Sequence, residues 1–233
     1  MISVVVPAYN ESLRLLPTLA GMRRYLDSSG EDYEVLVVDD GSQDGTAEVA
    51  DAAAADWPQL GVIRCPENRG KGAAVRAGML AARGDLRLFS DADLSTPMAE
   101  LALLRDQLDS GHGVAIASRA LPGTTIEVRQ NRRRESMGRI YNRFLRLLVL
   151  PGIHDSQCGF KLFTAEAATT VFGPLRTQRF GFDAEILVRA RRAGIGIAEV
   201  PVRWRHVEES RVSSVRDASR MLFDLFLLRL RGV

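Results

Sequence analysis

Five short apolar runs, separated by helix-length segments, constrain this chain more than any other feature: ISVVV at 2–6, YEVLVV at 33–38, GVIRC at 61–65, DLRLFS at 85–90 and GVAIAS at 113–118. Near-continuous runs of Val, Ile and Leu suit strands buried on both faces, and the spacers between them suit the crossover helices of βαβ units. The spacing therefore predicts an α/β fold, doubly wound, with a mostly parallel central sheet flanked by helices. In such sheets ligands bind beyond the carboxyl ends of the strands. The segments that follow the five runs are PAYNE, DDGSQDGT, PENRGKGAA, DADLSTP and RALPGT. All are polar, charged or rich in glycine, so chemistry is expected there.

With 233 residues, 46% of them hydrophobic, the chain can bury one good-sized core, and 1–233 reads as a single domain. The start MISVVVPAYN lacks the basic segment and cleavage site of a signal peptide, and no uncharged stretch exceeds ten residues. A spanning helix needs about 18, so a cytoplasmic location is expected. Cys65 and Cys158 show neither metal-ligand spacing nor a disulfide framework and are expected to be free thiols. Charge is unevenly spread: residues 1–128 carry 11 Lys and Arg against 19 Asp and Glu, whereas 129–233 carry 20 against 10. A basic half fits nucleic acid, an anionic membrane surface or a phosphorylated substrate.

The acidic strand ends narrow the choice. Asp39 and Asp40 end the second run, where a carboxylate commonly accepts hydrogen bonds from a nucleotide's ribose or base; a capping turn through Asp44 or Thr46 explains only the residues after them. VVVPAYNES has no G-x-G-x-x-G, and GKGAAVRAG lacks the P-loop spacing, which argues against dinucleotide-dependent hydride transfer and against a P-loop. Asp91 and Asp93, one residue apart after the fourth run, would repel each other unless a cation sat between them. Hard oxygen ligands so placed suit Mg²⁺ or Mn²⁺ completed by substrate phosphates.

Taken in order, VVVPAYNE, VVDDGSQDGT, NRGKGAAVRAGM, DADLSTP, DSQCGFKLF and FGFDAEIL resemble the family 2 glycosyltransferases with the GT-A fold, over nearly the whole chain. The most similar branch transfers a sugar to polyprenyl or dolichyl phosphate, and QCGFK and PVRWRHVEESR resemble its glucosyl more than its mannosyl members. The resemblance implies a nucleotide-sugar half, 1–128, and an acceptor-binding, membrane-interfacial half, 129–233. It implies that Pro7, Tyr9 and Glu11 line the nucleotide pocket, that Asp39 or Asp40 holds the uracil or ribose, and that Lys71 approaches the nucleotide. Asp91 and Asp93 would bind the metal beside the donor, with Ser95 acting through water if at all, and Arg119 would face the phosphates or the acceptor. Gln157 and Lys161 would lie on the acceptor side with Arg132, Arg133, Arg134 and Arg211; Asp93, Arg119 and Lys161 would carry catalysis. Arg211 departs from the lysine usual after serine in the glucosyl pattern, replacing an ammonium with a planar fork.

The implied reaction is inverting, metal-dependent transfer of glucose from UDP-glucose to polyprenyl phosphate, with mannosyl transfer from GDP-mannose as the neighbouring alternative. An acceptor phosphate is already anionic at pH 7, so no general base is required. Between 129 and 153, Arg129, Arg132, Arg133, Arg134, Arg139, Arg143 and Arg146 interleave with apolar residues at helical spacing, as in a basic amphipathic helix lying on a membrane. Residues 219–233 form a second such candidate, and the enzyme is expected at the cytoplasmic face of a membrane. A nucleic-acid binder would need stacking aromatics, and only 6% of residues are aromatic. Asp183 and Glu185 read either as helix-start carboxylates or as contacts to sugar hydroxyls. His206 reads as a loop histidine ahead of a metal ligand, and His112 and His154 carry no signal.

Overall fold

The five apolar runs form β1 (Ile2–Ala8), β2 (Tyr33–Asp39), β3 (Leu60–Arg64), β4 (Leu86–Ser90) and β5 (Val114–Ser118). The computed structural model describes residues 1–129, 132–207 and 228, with 132–135 described through the backbone alone. Crossover helices α1 (Ser12–Ser29), α2 (Thr46–Ala55), α3 (Lys71–Ala81) and α4 (Leu101–Asp109) fall between the strands, with a 3₁₀ turn at Met98–Glu100 ahead of α4. β1 pairs in parallel with β2 and β4, and β2 with β3, as the run spacing predicts.

The second half contributes β6 (Thr125–Val128), α5 (Arg132–Leu148), β7 (Phe160–Thr164), α6 (Ala165–Phe172), α7 (Phe182–Arg192), β8 (Ile197–Pro201) and β9 (Arg203–Arg205). β7 enters the main sheet between β4 and β5 and runs antiparallel to both, giving the order β3-β2-β1-β4-β7-β5-β8. β6 and β9 form a separate two-stranded parallel ribbon. One sheet is thus built from both halves of the chain.

Alternation along the strands sends side chains to two cores. Val4, Val6, Leu88, Phe160 and Leu162 face α1, α2 and α4, whereas Val5, Phe89 and Phe163 face α3, α6 and α7. Lys161, between Phe160 and Leu162, therefore points into the second core. Pro7 is tolerated in the central β1 because β4 pairs with β1 only as far as Val5, leaving the ladder one-sided at the proline. Cys65 and Cys158 are both free thiols.

On α5, Tyr141 and Leu145 pack into the core with Leu150 and Leu228, while Ile140, Phe144, Leu147 and Leu148 are exposed. Four apolar residues at i, i+4, i+7 and i+8 make a second stripe on the helix, with Arg139 and Arg143 exposed among them. Arg211 and, Leu228 apart, the segment 219–233 lie outside the described residues, as do the side chains of Arg132, Arg133 and Arg134.

α3 lies close against the sheet because Gly78 has no Cβ: one built there would stand 2.4 Å from Val5 Cγ1 and 2.8 Å from Val38 Cγ2. Gly78→Ala gains about 1 kcal/mol of helix propensity but forces overpacking that costs about 1–3 kcal/mol. Net destabilisation is expected, read as a lower denaturation midpoint with an unchanged slope; a raised midpoint would show that α3 can lift off the sheet freely.

Candidate active site

The loops after β1 and β2 are laced together beyond the strand ends. Asn10, at φ 54°, donates its N–H to Ser42 Oγ and accepts the Gln43 N–H on its side-chain oxygen. Glu11 donates its N–H to Thr46 Oγ1 at 2.7 Å, and Ser12 donates both N–H and hydroxyl to the Asp44 carboxylate. The Glu11 carboxylate is engaged by Arg14. Tyr9 is exposed beside this floor and Pro7 is buried beneath it.

Asp39 and Asp40 are both buried, and each carboxylate has a partner inside the protein. Asp39 accepts the Ser42 N–H, whereas Asp40 accepts the N–H groups of Arg69 and Gly70, at 3.0 and 2.7 Å. Burial pushes the Asp40 carboxyl up, the two N–H groups oppose this, and neighbouring Asp39 adds to the rise. Asp40 thereby fixes the glycine-rich turn from which Lys71 begins α3.

Asp91 and Asp93 stand in the loop after β4, and three hydrogen bonds hold that loop. The Asp91 N–H donates to Gly159 O, Thr18 of α1 donates its hydroxyl to Ala92 O at 2.6 Å, and Asp93 Oδ1 accepts the Ser95 N–H at 2.9 Å. Leu94 adopts φ 46°, a conformation that costs a residue with a Cβ on the order of 1 kcal/mol and that clusters at functional sites. Gly159 is required: a Cβ there would sit 2.0 Å from Asp91 Oδ2.

Lys71 Nζ lies 2.6 Å from Asp91 Oδ1, yet that oxygen, shut off from solvent, receives no aligned hydrogen bond. Burial pushes Asp91 up, Lys71 opposes it, and the Asp93 and Asp183 carboxylates raise it further. Lys71 is nevertheless held above its ordinary range: burial would lower it, but Asp91 and Asp183 more than compensate. Negative charge here exceeds what one ammonium neutralises. Among the described residues no three His, Cys, Asp or Glu side chains form a metal cage. Mg²⁺ and Mn²⁺ are commonly held by only one or two carboxylates together with substrate phosphates, and Asp91 and Asp93, with an under-satisfied oxygen between strand end and helix start, fit that chemistry.

Arg119, after β5, is clamped by Asp155. Its backbone N–H, Nε and Nη2 all donate to that carboxylate, at 3.0, 2.6 and 2.8 Å, and its guanidinium lies 5.5 Å from the Trp204 ring centroid. Asp155 is in turn set by Glu199, which accepts the N–H groups of His154 and Asp155. Gln157 donates its N–H to Asp155 Oδ1. Lys161, expected to meet the acceptor, is fully enclosed: its ammonium donates to Cys158 O at 2.6 Å and to Asp183 Oδ1 at 2.5 Å. Both lysine ammonium groups lie near the Phe89 ring, Lys71 at 5.3 Å and Lys161 at 5.5 Å from its centroid.

Both carboxylates at the start of α7 have partners inside the protein. Asp183 pairs with Lys161, and Glu185 accepts the N–H groups of Arg176 and Thr177 and pairs with Arg189. Ser95 is buried. His206 stacks on Trp204 and donates its N–H to Val128 O. Burial pushes the Cys158 thiol up to about 11, which excludes it as a thiolate nucleophile. Sequence reading missed Asp155 and Trp204; Asp155's only local signal is its place two residues before Gln157.

A sequence model described as Glycosyl transferase family 2 matches residues 3–172. The dolichyl-phosphate beta-glucosyltransferase of Homo sapiens is 35% identical to this chain, covering 99% of it and 75% of the human protein. One from Trichomonas vaginalis is 37% identical, covering 95% and 68% respectively. Among solved structures, glucosyl-3-phosphoglycerate synthase from Mycobacterium tuberculosis, in complex with Mn²⁺, UDP-glucose and phosphoglyceric acid, aligns with a TM-score of 0.75 at 22% identity. The alignment covers 98% of this chain and 79% of that one. Mannosyl-3-phosphoglycerate synthase from Rubrobacter xylanophilus gives 0.74 at 21% identity, covering 100% and 74%. The GT-A fold is therefore shared.

Burial raises the Asp155 carboxyl, but Arg119 outweighs it and holds the folded value down at about 2, below the ordinary 3.8. Its contribution to stability is therefore complete above pH 4 and is lost as pH falls toward 2, on the order of 2 kcal/mol in all. Denaturation midpoints at pH 2–5 should drop less steeply for Asp155→Asn than for the parent, and the variant should be less stable at pH 7 because Arg119 loses its counter-charge. Parallel pH profiles would show that the pair contributes no linkage.

Proposed function

The chain belongs to glycosyl transferase family 2 and is a glycosyltransferase, and from that premise we propose that it transfers glucose from UDP-glucose to a dolichyl-type polyprenyl phosphate with inversion at the anomeric carbon. The observation that carries this reading is the meeting of Asp91 and Asp93 with Lys71 at the carboxyl end of the sheet, with Arg119 within electrostatic reach of Asp91. Relatives that are 35% and 37% identical over nearly all of this chain are dolichyl-phosphate beta-glucosyltransferases. UDP-glucose and Mn²⁺ are ligands of a mycobacterial enzyme of the same fold.

In this reading Asp91 and Asp93 would hold a Mg²⁺ or Mn²⁺ ion, which would supply positive charge for a departing diphosphate. Lys71 adds a second cation beside the diphosphate. Asp155 and Trp204 keep Arg119 in one orientation, so that its positive charge serves the donor or acceptor phosphate without reordering. Lys161, enclosed and paired with Asp183, acts through the position of β7 and the potential it adds near Phe89. The acceptor phosphate attacks as an anion, so no side chain has to remove a proton.

Radiolabel transfer to polyprenyl phosphate tests the donor: lipid-linked label is expected from UDP-glucose and not from GDP-mannose, and the reverse would make the enzyme a mannosyltransferase. Asp91→Asn and Asp93→Asn should retain the fold and lose transfer by about a hundredfold or more, because a neutral amide holds a hard cation weakly. Full activity of both variants in chelator-treated buffer would remove the metal from the mechanism.

The reading extends to a peripheral position on the cytoplasmic face of an anionic membrane. No helix among the described residues is long and apolar enough to cross a bilayer. The exposed stripe Ile140, Phe144, Leu147 and Leu148, with Arg139 and Arg143 beside it, has the composition of a helix lying in the interface. Each apolar side chain that enters contributes about 1.5–3 kcal/mol and each arginine about 1 kcal/mol. Phe144→Glu with Leu147→Glu should lower binding to anionic vesicles and transfer to long-chain acceptor while sparing transfer to a short, soluble one. Unchanged vesicle binding would remove α5 from the interface.

A further inference from the structure

The chain has 29 arginines and two lysines, and both lysines stand beside Phe89. Lys161 is enclosed and satisfied twice. Lys71 is different: its ammonium sits 2.6 Å from Asp91 Oδ1, an oxygen that has no aligned hydrogen bond, and 23% of its side chain remains open. An ammonium is a compact point charge on a flexible stem, whereas a guanidinium would grip the carboxylate in a fixed fork. A group so placed can leave.

We infer that Lys71 is an internal stand-in for the divalent cation: it neutralises Asp91 while the donor is absent and surrenders that oxygen when metal and nucleoside diphosphate arrive together. The inference rests on the reading of Asp91 and Asp93 as metal ligands. Two cations cannot share one carboxylate oxygen at contact distance without strong repulsion. Metal arriving alone must therefore displace an ammonium whose other nearby carboxylates are Asp93, needed by the metal, and Asp183, whose Oδ1 is already bonded to Lys161. A diphosphate gives the displaced ammonium a new anion. Metal and nucleotide should consequently bind with positive coupling, each strengthening the other by the same factor. If Lys71 only ties α3 to β4, its removal would do nothing for metal affinity.

The test is Mn²⁺ binding, by calorimetry or electron paramagnetic resonance, with and without UDP, on the parent and on Lys71→Met. Without UDP, Lys71→Met is expected to bind Mn²⁺ about tenfold more tightly than the parent. UDP is expected to tighten Mn²⁺ binding to the parent by about tenfold or more and to Lys71→Met by much less. Equal or weaker binding by Lys71→Met without UDP overturns the stand-in, and the metal reading survives if UDP still recruits Mn²⁺ to the parent. A parent that binds no Mn²⁺ even with UDP overturns both. Should Lys71→Met fail to fold, the parent labelled with ¹⁵N-lysine decides. Mg²⁺ with UDP is expected to shift the Lys71 Nζ resonance and leave that of Lys161 in place, and a stationary Lys71 resonance overturns the inference.

Discussion

β7 must slide between two parallel strands in the opposite direction, and the residue at its entry, Gly159, must lack a side chain because the Asp91 carboxylate fills the space a Cβ would take. Nearly every contact of the site follows from that fit. The Gly159 carbonyl accepts the Asp91 N–H and so sets where the strand-end loop begins. Two residues further along, Lys161 comes into register with Phe89, and its ammonium draws Asp183 of α7 into the same neighbourhood. The short segment before β7 delivers Asp155 to Arg119. A single antiparallel insertion thus joins the carboxylate loop, both lysines and the arginine clamp.

Charge in this region is arranged by the difference between the two cationic side chains. Arg119 is held as a fork, its Nε and Nη2 matched to the two oxygens of Asp155 and its face over Trp204, a geometry that only a planar guanidinium satisfies. The two lysines instead meet single oxygens at 2.5–2.6 Å. The chain uses arginine everywhere else, so lysine marks the positions where a point charge, and not a clamp, is needed.

The parallel part of the fold was legible because buried parallel strands are continuous in their apolar character: VVV, VLVV and VAIA name themselves. β7 was not, since FKLFT carries a lysine at its second position, and a charge inside a five-residue run looks like surface until the partner, Asp183, is seen 22 positions later. The paired carboxylates Asp91 and Asp93 were legible from their place after a strand. Asp39 and Asp40 stood out for the same reason, but their hydrogen bonds to Ser42, Arg69 and Gly70 inside the protein come from backbone geometry that spacing does not encode. Asp155 was hidden because its partner lies 36 residues away. The amphipathic character of α5 was visible, but its division into a packed face through Tyr141 and Leu145 and an exposed stripe through Phe144 and Leu147 depends on what the rest of the fold places beneath it.

The lacing of the first two strand-end loops has a thermodynamic consequence. Asn10, Glu11 and Ser12 are tied to Ser42, Gln43, Asp44 and Thr46 through both backbone and side chains, so neither loop can rearrange without the other. A ligand resting on such a platform finds it already assembled and pays little ordering entropy on arrival. Its affinity is then governed by how well its own shape matches a rigid template, and a ligand of the wrong shape would be rejected by misfit instead of being accommodated by the loops.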